Sequence, residues 1–252
     1  MKKIGFIGMG NMGLAILSGV LTNTDKDEII FHCNTKEKMD AISKKYSVMH
    51  KENNSEIVEN AKYIILAIKP QMFNNIINEI KGSIKDESVI ISLAPGITIK
   101  QLEEMCGTKR IVRTMPNTPA MVKEGMTGLS LNKEQFSLDE IQEINDIFNS
   151  IGKMKIVDEK LMDAVVCASG SSPAYVFMFI EALADSVVKC GMKRDDAYEF
   201  VAQTVLGSAK LMLETKSHPA QLKDSVCSPG GTTIQAVSAL EENGFRNALI
   251  KA

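Results

Sequence analysis

The stretch Ile4–Gly13, with the sequence IGFIGMGNMG, decides the fold of this chain. An apolar run leads into three glycines spaced as Gly8-x-Gly10-x-x-Gly13, and apolar residues then recur at helical spacing. Strand, glycine turn and helix in that order are typical of a nucleotide-binding βαβ unit. In such a unit the first glycine permits a tight turn, the second lets the backbone approach a pyrophosphate, and the third lets helix and strand pack closely.

Two other interpretations of this stretch compete with nucleotide binding. Lys2 and Lys3 followed by apolar residues also resemble the start of a secretory signal peptide, but Gly5, Gly8 and Gly10 interrupt the apolar core that a signal helix needs. A glycine-rich turn that binds nothing is the second alternative. The glycine spacing alone leaves it open.

The composition limits the partners of the chain. Its 252 residues are 44% hydrophobic and 24% charged, which fits one large domain or two moderate ones. The 29 basic and 31 acidic residues are spread along the chain and give a net charge of −2. We therefore expect a small-molecule substrate as the partner, and neither a nucleic acid nor a membrane. The longest uncharged apolar stretch, residues 165–180, is too short and too polar to span a bilayer.

The cysteines and histidines indicate a cytoplasmic protein without a metal. The five cysteines are widely separated and form no Cys-x-x-Cys pair, which suits a reducing compartment. The three histidines have no partner at the spacing of metal ligands or of a catalytic triad. The sequence thus predicts neither a disulfide framework nor a metal site.

Further strands follow the first unit. EIIFHCN (residues 28–34), YIILAI (Tyr63–Ile68) and SVIISLA (Ser88–Ala94) each have helical patterns nearby, which predicts a doubly wound parallel sheet. Turns at the carboxyl ends of these strands lie where open α/β sheets bind ligands, so we expect them to form one crevice. The turns are Asn34–Thr35, Lys69–Pro70 and Pro95–Gly96.

Beyond about Leu161 the strand pattern gives way to helical stretches at Pro173–Cys190, Asp195–Leu213 and Thr232–Glu242. The sequence therefore predicts an α/β Rossmann-type NAD(P)-binding domain over residues 1–158 and a mainly α-helical domain over residues 159–252. The first long helix is apolar on several sides. Such a helix is either a central core helix or a subunit interface.

The end of the second strand bears on the choice of cofactor. A site for NAD usually places Asp or Glu there, whereas this chain has Asn34, Thr35 and Lys36. Amide and hydroxyl groups beside a cation suit the 2′-phosphate of NADPH, and we expect Glu37 to begin the next helix and point away. NADPH is the predicted cofactor, with NADH possible, and a solvated loop without cofactor contact is the alternative.

A second glycine loop, SPGGTT, spans Ser228–Thr233. Adjacent glycines free the backbone to turn its N–H groups inward, and the threonines add hydroxyls at the start of a helix. Such a loop is either a receptor for a small carboxylate or a capped turn before a helix.

Several segments together resemble the pyrroline-5-carboxylate reductase family. They are GFIGMGNMG, LAIKP (Leu66–Pro70), RTMPNTPA (Arg113–Ala120), SGSSPAYVF (Ser169–Phe177) and the run from His218 to Ile250. The resemblance covers essentially the whole chain. It implies hydride transfer from NAD(P)H to the cyclic imine 1-pyrroline-5-carboxylate, which makes proline, and a helical domain that forms a homodimer or a larger assembly of dimers.

The resemblance also implies the site residues. Thr233 is implied as the catalytic residue, its hydroxyl directed at the imine nitrogen, while the substrate proton arrives with the substrate or through water. Ser228 and Pro229 are implied to shape the loop. The implied substrate-binding residues are Glu159, Gly231, Thr232 and Thr233, and the implied cofactor-binding residues are Gly8, Gly10, Asn11, Met12, Asn34, Thr35, Asn54, Ala67, Lys69, Pro70, Ala94, Gly96 and Asn117.

Departures from the family pattern and two rival functions remain. Ser172 and Pro95 replace small residues that are common in the family. The given sequence ends at Ala252, and we expect this end to bear on higher assembly more than on catalysis. A β-hydroxyacid dehydrogenase is the rival enzyme class, but its catalytic lysine is expected on the helical domain, whereas Lys69 ends a Rossmann strand. A non-catalytic nucleotide-sensing protein is the rival from another class.

Overall fold

An eight-stranded sheet organises the first part of the chain in the computed structural model, which describes residues 2–252. The strand order is β3-β2-β1-β4-β5-β6-β7-β8, and neighbouring strands are parallel except for the antiparallel pair β6–β7. The strands are β1 (Lys2–Ile7), β2 (Ile29–His32), β3 (Met49–His50), β4 (Ala61–Leu66), β5 (Val89–Ser92), β6 (Ile111–Met115), β7 (Gly125–Leu131) and β8 (Gly152–Ile156).

Helices cover both faces of the sheet, as the alternation of strands and helices predicted. The residues of α1, α2 and α6 share one core with Phe6 and Phe31, whereas those of α3, α4 and α5 share the other with Ile30 and Ile64. Alternating strand residues therefore face opposite cores, which makes the sheet doubly wound. The helices are α1 (Asn11–Val20), α2 (Lys36–Tyr46), α3 (Asn54–Asn60), α4 (Phe73–Ile80), α5 (Ile99–Cys106) and α6 (Leu138–Asn149).

The two edge strands of the sheet are short or charged. Strand β3, at one edge, has two residues. Strand β8, at the other edge, carries exposed Lys153 and Lys155 on either side of a half-buried Met154.

A charged cluster joins α6 to the amino ends of β4 and β6. Arg110 Nη2 lies 2.5 Å from Glu140 Oε1, and Lys62 Nζ lies 3.0 Å from the same oxygen. The hydroxyl of the buried Tyr63 donates to Glu143. Burial, reinforced by this carboxylate, raises the pKa of Tyr63 far above its ordinary value. The cluster lies where the strands begin, at the end of the sheet opposite the carboxyl ends of the strands.

The chain leaves the sheet through an interrupted helical stretch. A short helix α7 (Met162–Val165) continues through a π turn, Val166–Gly170, into α8 (Ser172–Lys189). The whole stretch, Glu159–Lys189, is long and apolar enough to cross a membrane by length and composition alone. The apolar stretch that the sequence indicates, residues 165–180, is shorter because helical residues continue on both sides of it.

Contacts divide the chain into two compact units, residues 1–175 and residues 176–252. The domain boundary after residue 158, expected from the sequence, remains a prediction. Residues 159–171 belong to the first compact unit because they contact its strands: Glu159 binds Arg113 of β6, and Ser169 accepts a hydrogen bond from Asn117.

The second unit is helical. After α8 it contains α9 (Arg194–Thr215), α10 (Pro219–Ser225), α11 (Thr232–Glu242) and α12 (Phe245–Lys251). Helix α11 has the bounds that the sequence predicted. Three apolar residues form its buried core, with partly buried side chains of α8 packed against them; the three are Ala184, Ala197 and Val201.

Candidate functional site

The glycine loop after β1 combines two packed glycines with one open position. Gly8 has φ +88°, and a Cβ there would lie 2.6 Å from Ala67 O. A Cβ on Gly13 would lie 2.7 Å from Gly8 O. Around Gly10, by contrast, no described residue apart from its two chain neighbours has an atom within 4 Å of a Cβ position. The protein therefore leaves free space at Gly10, where the expected cofactor phosphates would lie.

Helix α1 begins at this open position. Gly10 is its N-cap, and within residues 2–252 no side chain caps it. Asn11 and Met12 form the first turn, which contains no acidic residue. Free N–H groups and the helix dipole attract an anion. The space and the donors fit the pyrophosphate of a dinucleotide.

The residues that follow the carboxyl end of β2 include the polar groups that a phosphate-binding site requires. Cys33 is buried, whereas Asn34 and Thr35 are exposed. Thr35 caps α2 by accepting a hydrogen bond from Lys38 N–H at 3.4 Å. Glu37 lies in the first turn of α2, as expected. The exposed groups at this strand end are thus an amide, a hydroxyl and nearby lysines.

Asn54, expected on the adenine side, is buried and oriented by a carboxylate. Its Nδ2 donates to Glu79 Oε2 at 2.8 Å, and its backbone N–H donates to Glu79 Oε1 at 3.3 Å. Its Oδ1 has no hydrogen-bond partner among the described residues. Sequence reasoning missed Glu79, which lies 25 residues away and gives no local signal.

The turns after β4 and β5 contain the residues expected near the nicotinamide. The Ala67 N–H donates to Ile7 O at 2.9 Å, which holds this turn beside β1. Lys69 and Pro70 are exposed, and Pro70 begins a short 3-10 turn.

Residues 93–98, here called the 93–98 loop, connect β5 to α5. The Ala94 N–H donates to Ser92 Oγ at 3.2 Å. Gly96 has φ +80°, and a Cβ there would meet no atom of the described chain within 4 Å. The loop is thus anchored at its start and open at its centre.

Both polar atoms of the Asn117 side-chain amide form hydrogen bonds within the protein. Its Nδ2 donates to Ser169 O at 3.1 Å, and its Oδ1 accepts from Met126 N–H at 2.9 Å. The sequence placed Asn117 near the nicotinamide and the substrate. The structure places it between the start of β7 and the π turn, where its contacts are with the backbone.

Glu159 is held by two donors. Its Oε1 accepts from Ile99 N–H at 2.7 Å and from Arg113 Nη1 at 3.0 Å. The Arg113 side chain is only 7% exposed. Sequence reasoning missed Arg113; the available signal was a lone cation inside the apolar strand β6.

The second glycine loop belongs to the second unit. Gly230 has φ +69°, which suits glycine, and Gly231 N–H donates to Ser228 O at 3.0 Å. Gly231 is the N-cap of α11, and no side chain of residues 176–252 caps it. Thr232 and Thr233 are exposed in the first turn, which has no acidic residue. This helix start can accept an anion such as a carboxylate.

Two protein-family models match the chain. The model described as pyrroline-5-carboxylate reductase dimerisation matches residues 159–252. The model described as NADP oxidoreductase, coenzyme F420-dependent, matches residues 3–96. The first covers the helical part and the second covers the beginning of the sheet.

Relatives and solved structures resemble the chain along its length. The pyrroline-5-carboxylate reductase of Escherichia coli is 44% identical over 254 residues, covering 100% of this chain and 94% of that protein. A solved pyrroline-5-carboxylate reductase from Coxiella burnetii is 35% identical, with a TM-score of 0.91, covering 99% of this chain and 94% of that one. A pyrroline carboxylate reductase from Plasmodium falciparum, solved with NADP bound, is 34% identical, with a TM-score of 0.88, covering 99% of this chain and 93% of that one.

Proposed function

The chain belongs to the pyrroline-5-carboxylate reductase family, and from that premise we propose which residues bind the cofactor and which bind the substrate. The enzyme reduces 1-pyrroline-5-carboxylate to L-proline: hydride from NADPH adds to the carbon of the ring C=N bond, and the nitrogen gains a proton. The observation that carries this function is 44% identity to a reductase over the full chain.

The first unit holds NADPH, which supplies the hydride when bound. The α1 N–H groups, with the space at Gly10, bind the pyrophosphate, and Asn34 and Thr35 bind the adenosine end. Supporting this assignment, the Gly10 position is open and the start of α1 lacks a side-chain cap. The residues assigned to the adenine and nicotinamide sides are Asn54, Ala67, Lys69, Pro70, Ala94, Gly96 and Asn117.

The SPGGTT loop binds the substrate. The Thr232 backbone N–H holds the substrate carboxylate, and the Thr233 hydroxyl aligns the imine nitrogen. Gly231 contributes through the shape of the loop, because its own N–H donates to Ser228 O. A protonated imine accepts hydride more readily, because its carbon is more electrophilic. The protein then acts by positioning, and the proton arrives with the substrate or through water.

Assembly and location follow from the same family. The enzyme forms a homodimer or a larger homo-oligomer through its helical part, to which the dimerisation model matches. We place it in the cytoplasm, without nucleic acid or membrane as a partner. All five cysteines are free, in keeping with a reducing compartment.

NADPH oxidation tests the function directly. The purified enzyme is assayed at neutral pH with pyrroline-5-carboxylate, with a β-keto acid, and with neither. We expect turnover with the cyclic imine alone and proline as the product. Turnover with the keto acid alone would favour the β-hydroxyacid dehydrogenase class, and NADPH binding without turnover of any substrate would favour a nucleotide-sensing protein.

A further inference from the structure

The 93–98 loop is anchored at two ends by different groups. At its start, the backbone is fixed to β5 and β4 through Ala94 N–H to Ser92 Oγ and Leu93 N–H to Leu66 O. At its end, Thr98 caps α5, and Ile99 is the first helical residue. Between these anchors Pro95 and Gly96 are exposed. Their placement therefore depends on where α5 begins.

Glu159 fixes that beginning from outside the loop. Its Oε1 accepts the Ile99 N–H at 2.7 Å, one of the donors that a helix start leaves without a helical partner. A carboxylate there also interacts favourably with the helix dipole. The contact joins residues 60 positions apart, so it orients the loop against a separate segment.

Arg113 in turn holds Glu159. Its Nη1 donates to the same Oε1 at 3.0 Å, and its side chain is only 7% exposed. Arg113 lies beside Ser92 in the register of β5 and β6, at the edge of the sheet from which the 93–98 loop departs. Arg113 is the buried partner of this ion pair, whereas 31% of the Glu159 side chain is exposed. Removing the Glu159 charge therefore leaves a buried guanidinium without its counter-charge.

We propose that Arg113 and Glu159 are a pair of positioning residues that set the 93–98 loop for the nicotinamide half of NADPH. Neither acts by touching the reacting atoms. Glu159 acts through Ile99, in place of the substrate contact that the family resemblance implies for it, and Arg113 acts through Glu159. This inference rests on the proposed function, which assigns Ala94 and Gly96 of the loop to the nicotinamide side.

The main test compares two ligands that share the adenosine half. NADPH and 2′,5′-ADP both use the adenosine end, but only NADPH has a nicotinamide. In Glu159→Gln the charge pair is lost, so we expect the Kd of NADPH to rise about tenfold and kcat to fall, while the Kd of 2′,5′-ADP stays within about twofold. Asp158→Asn is the matched control, because this neighbouring carboxylate is 55% exposed and pairs with Lys160; both affinities should stay unchanged.

A backbone variant tests the same contact without touching either charge. Ile99→Pro removes the N–H that Glu159 accepts, and proline fits the first helical position. Thr98, with φ −78° and ψ 160°, already has the backbone that a residue before proline adopts. We expect Ile99→Pro to raise the Kd of NADPH, by less than Glu159→Gln, and again to spare 2′,5′-ADP. This variant decides the matter if Glu159→Gln fails to fold.

Two results would overturn the proposal: an equal loss of affinity for both ligands, or a lower Tm with both affinities unchanged. Wild-type enzyme in the same experiment tests the proposed function separately. If it binds NADPH but does not oxidise it with pyrroline-5-carboxylate, the proposed reaction fails, and the contrast between the two ligands still decides the role of the pair.

Discussion

Residues 1–175 bury large apolar side chains on both faces of a sheet, whereas residues 176–252 bury three small or medium ones: Ala184, Ala197 and Val201. Exposed large hydrophobic side chains show the opposite distribution: sixteen lie in the second unit and six in the described part of the first. The first unit thus buries most of its large apolar side chains in its own core. The exposed apolar residues of the second unit favour a second surface that covers them, and the match of residues 159–252 to a dimerisation model supports a second copy in that role.

The largest expected effect is on this apolar surface. Phe179 of α8 is 38% exposed and pairs with Phe245, their ring centroids 6.4 Å apart. Phe179→Lys would bury a charge at the expected dimer contact, so we expect the dimer dissociation constant to rise about 30-fold or more. Analytical ultracentrifugation over a concentration series measures it.

The matched control places the same charge on the first unit. Leu138 is 85% exposed, and Leu138→Lys should leave the assembly unchanged. A wild-type protein that stays monomeric at every concentration would contradict the contrast between the units.

The next largest effect concerns the exposed glycine loop of the second unit. Thr233→Val keeps the size and branching of the side chain but removes the hydroxyl. We expect kcat/KM for pyrroline-5-carboxylate to fall by about tenfold to a thousandfold, with nearly unchanged NADPH affinity. Thr232→Val keeps its backbone N–H and should lose less. Normal turnover with a lower Tm in Thr233→Val would make the loop a capped turn.

A smaller effect is expected in the charged cluster of the first unit. Burial acts to raise the pKa of Glu140, but the hydrogen bond from Ser137 and the charges of Lys62 and Arg110 outweigh it and hold that pKa at about 2. The stabilisation is therefore complete above pH 4.5, the ordinary pKa, and is lost as the pH falls toward 2. Glu140→Gln should cost about 1–3 kcal/mol of unfolding free energy at pH 7.

Urea unfolding at several pH values checks this expectation. The difference between wild type and Glu140→Gln should shrink between pH 4.5 and pH 2. Glu104→Gln, at an exposed position on α5, is the control and should change little. A difference that stays constant with pH would assign the effect to packing.

The smallest effect separates two glycines of the phosphate loop. Gly10→Ala fills open space, so we expect NADPH affinity to fall about tenfold with a loss of stability below about 1 kcal/mol. Gly13→Ala places a Cβ 2.7 Å from Gly8 O and should lower the stability as well as the affinity. Calorimetric titration and thermal unfolding measure the two quantities. Unchanged affinity in Gly10→Ala would place the pyrophosphate elsewhere.

Sequence patterns predicted the elements whose own residues carry a local signal, such as a glycine spacing or a helical period. The first βαβ unit and the bounds of α11 follow from glycine spacing and helical periodicity. Strands β3, β6, β7 and β8 escaped prediction, and of these β3 has only two residues, Met49 and His50, too few for a period. The π turn also has no periodic signal, so the length of the helical stretch through α8 was underestimated.

The supporting contacts of the candidate site could not be predicted. Arg113 and Glu159 are 46 positions apart, and Asn54 and Glu79 are 25 apart, so only the folded sheet brings each pair together. The sequence indicated Glu159 and Asn54 through family resemblance. The lone cation in β6 marked Arg113 as unusual, but no local pattern linked Arg113 to Glu159 or Glu79 to Asn54.

The edges of the sheet have a consequence for how copies of this chain associate. An exposed edge strand is a template on which another chain can add a strand, and this leads to open-ended aggregation. Here one edge offers two residues of β3, and the other offers β8 with Lys153 and Lys155, whose charges oppose the approach of a second strand. The sheet therefore resists strand-to-strand growth. Most of the exposed large hydrophobic side chains lie in the helical second unit, where association can close into a finite assembly.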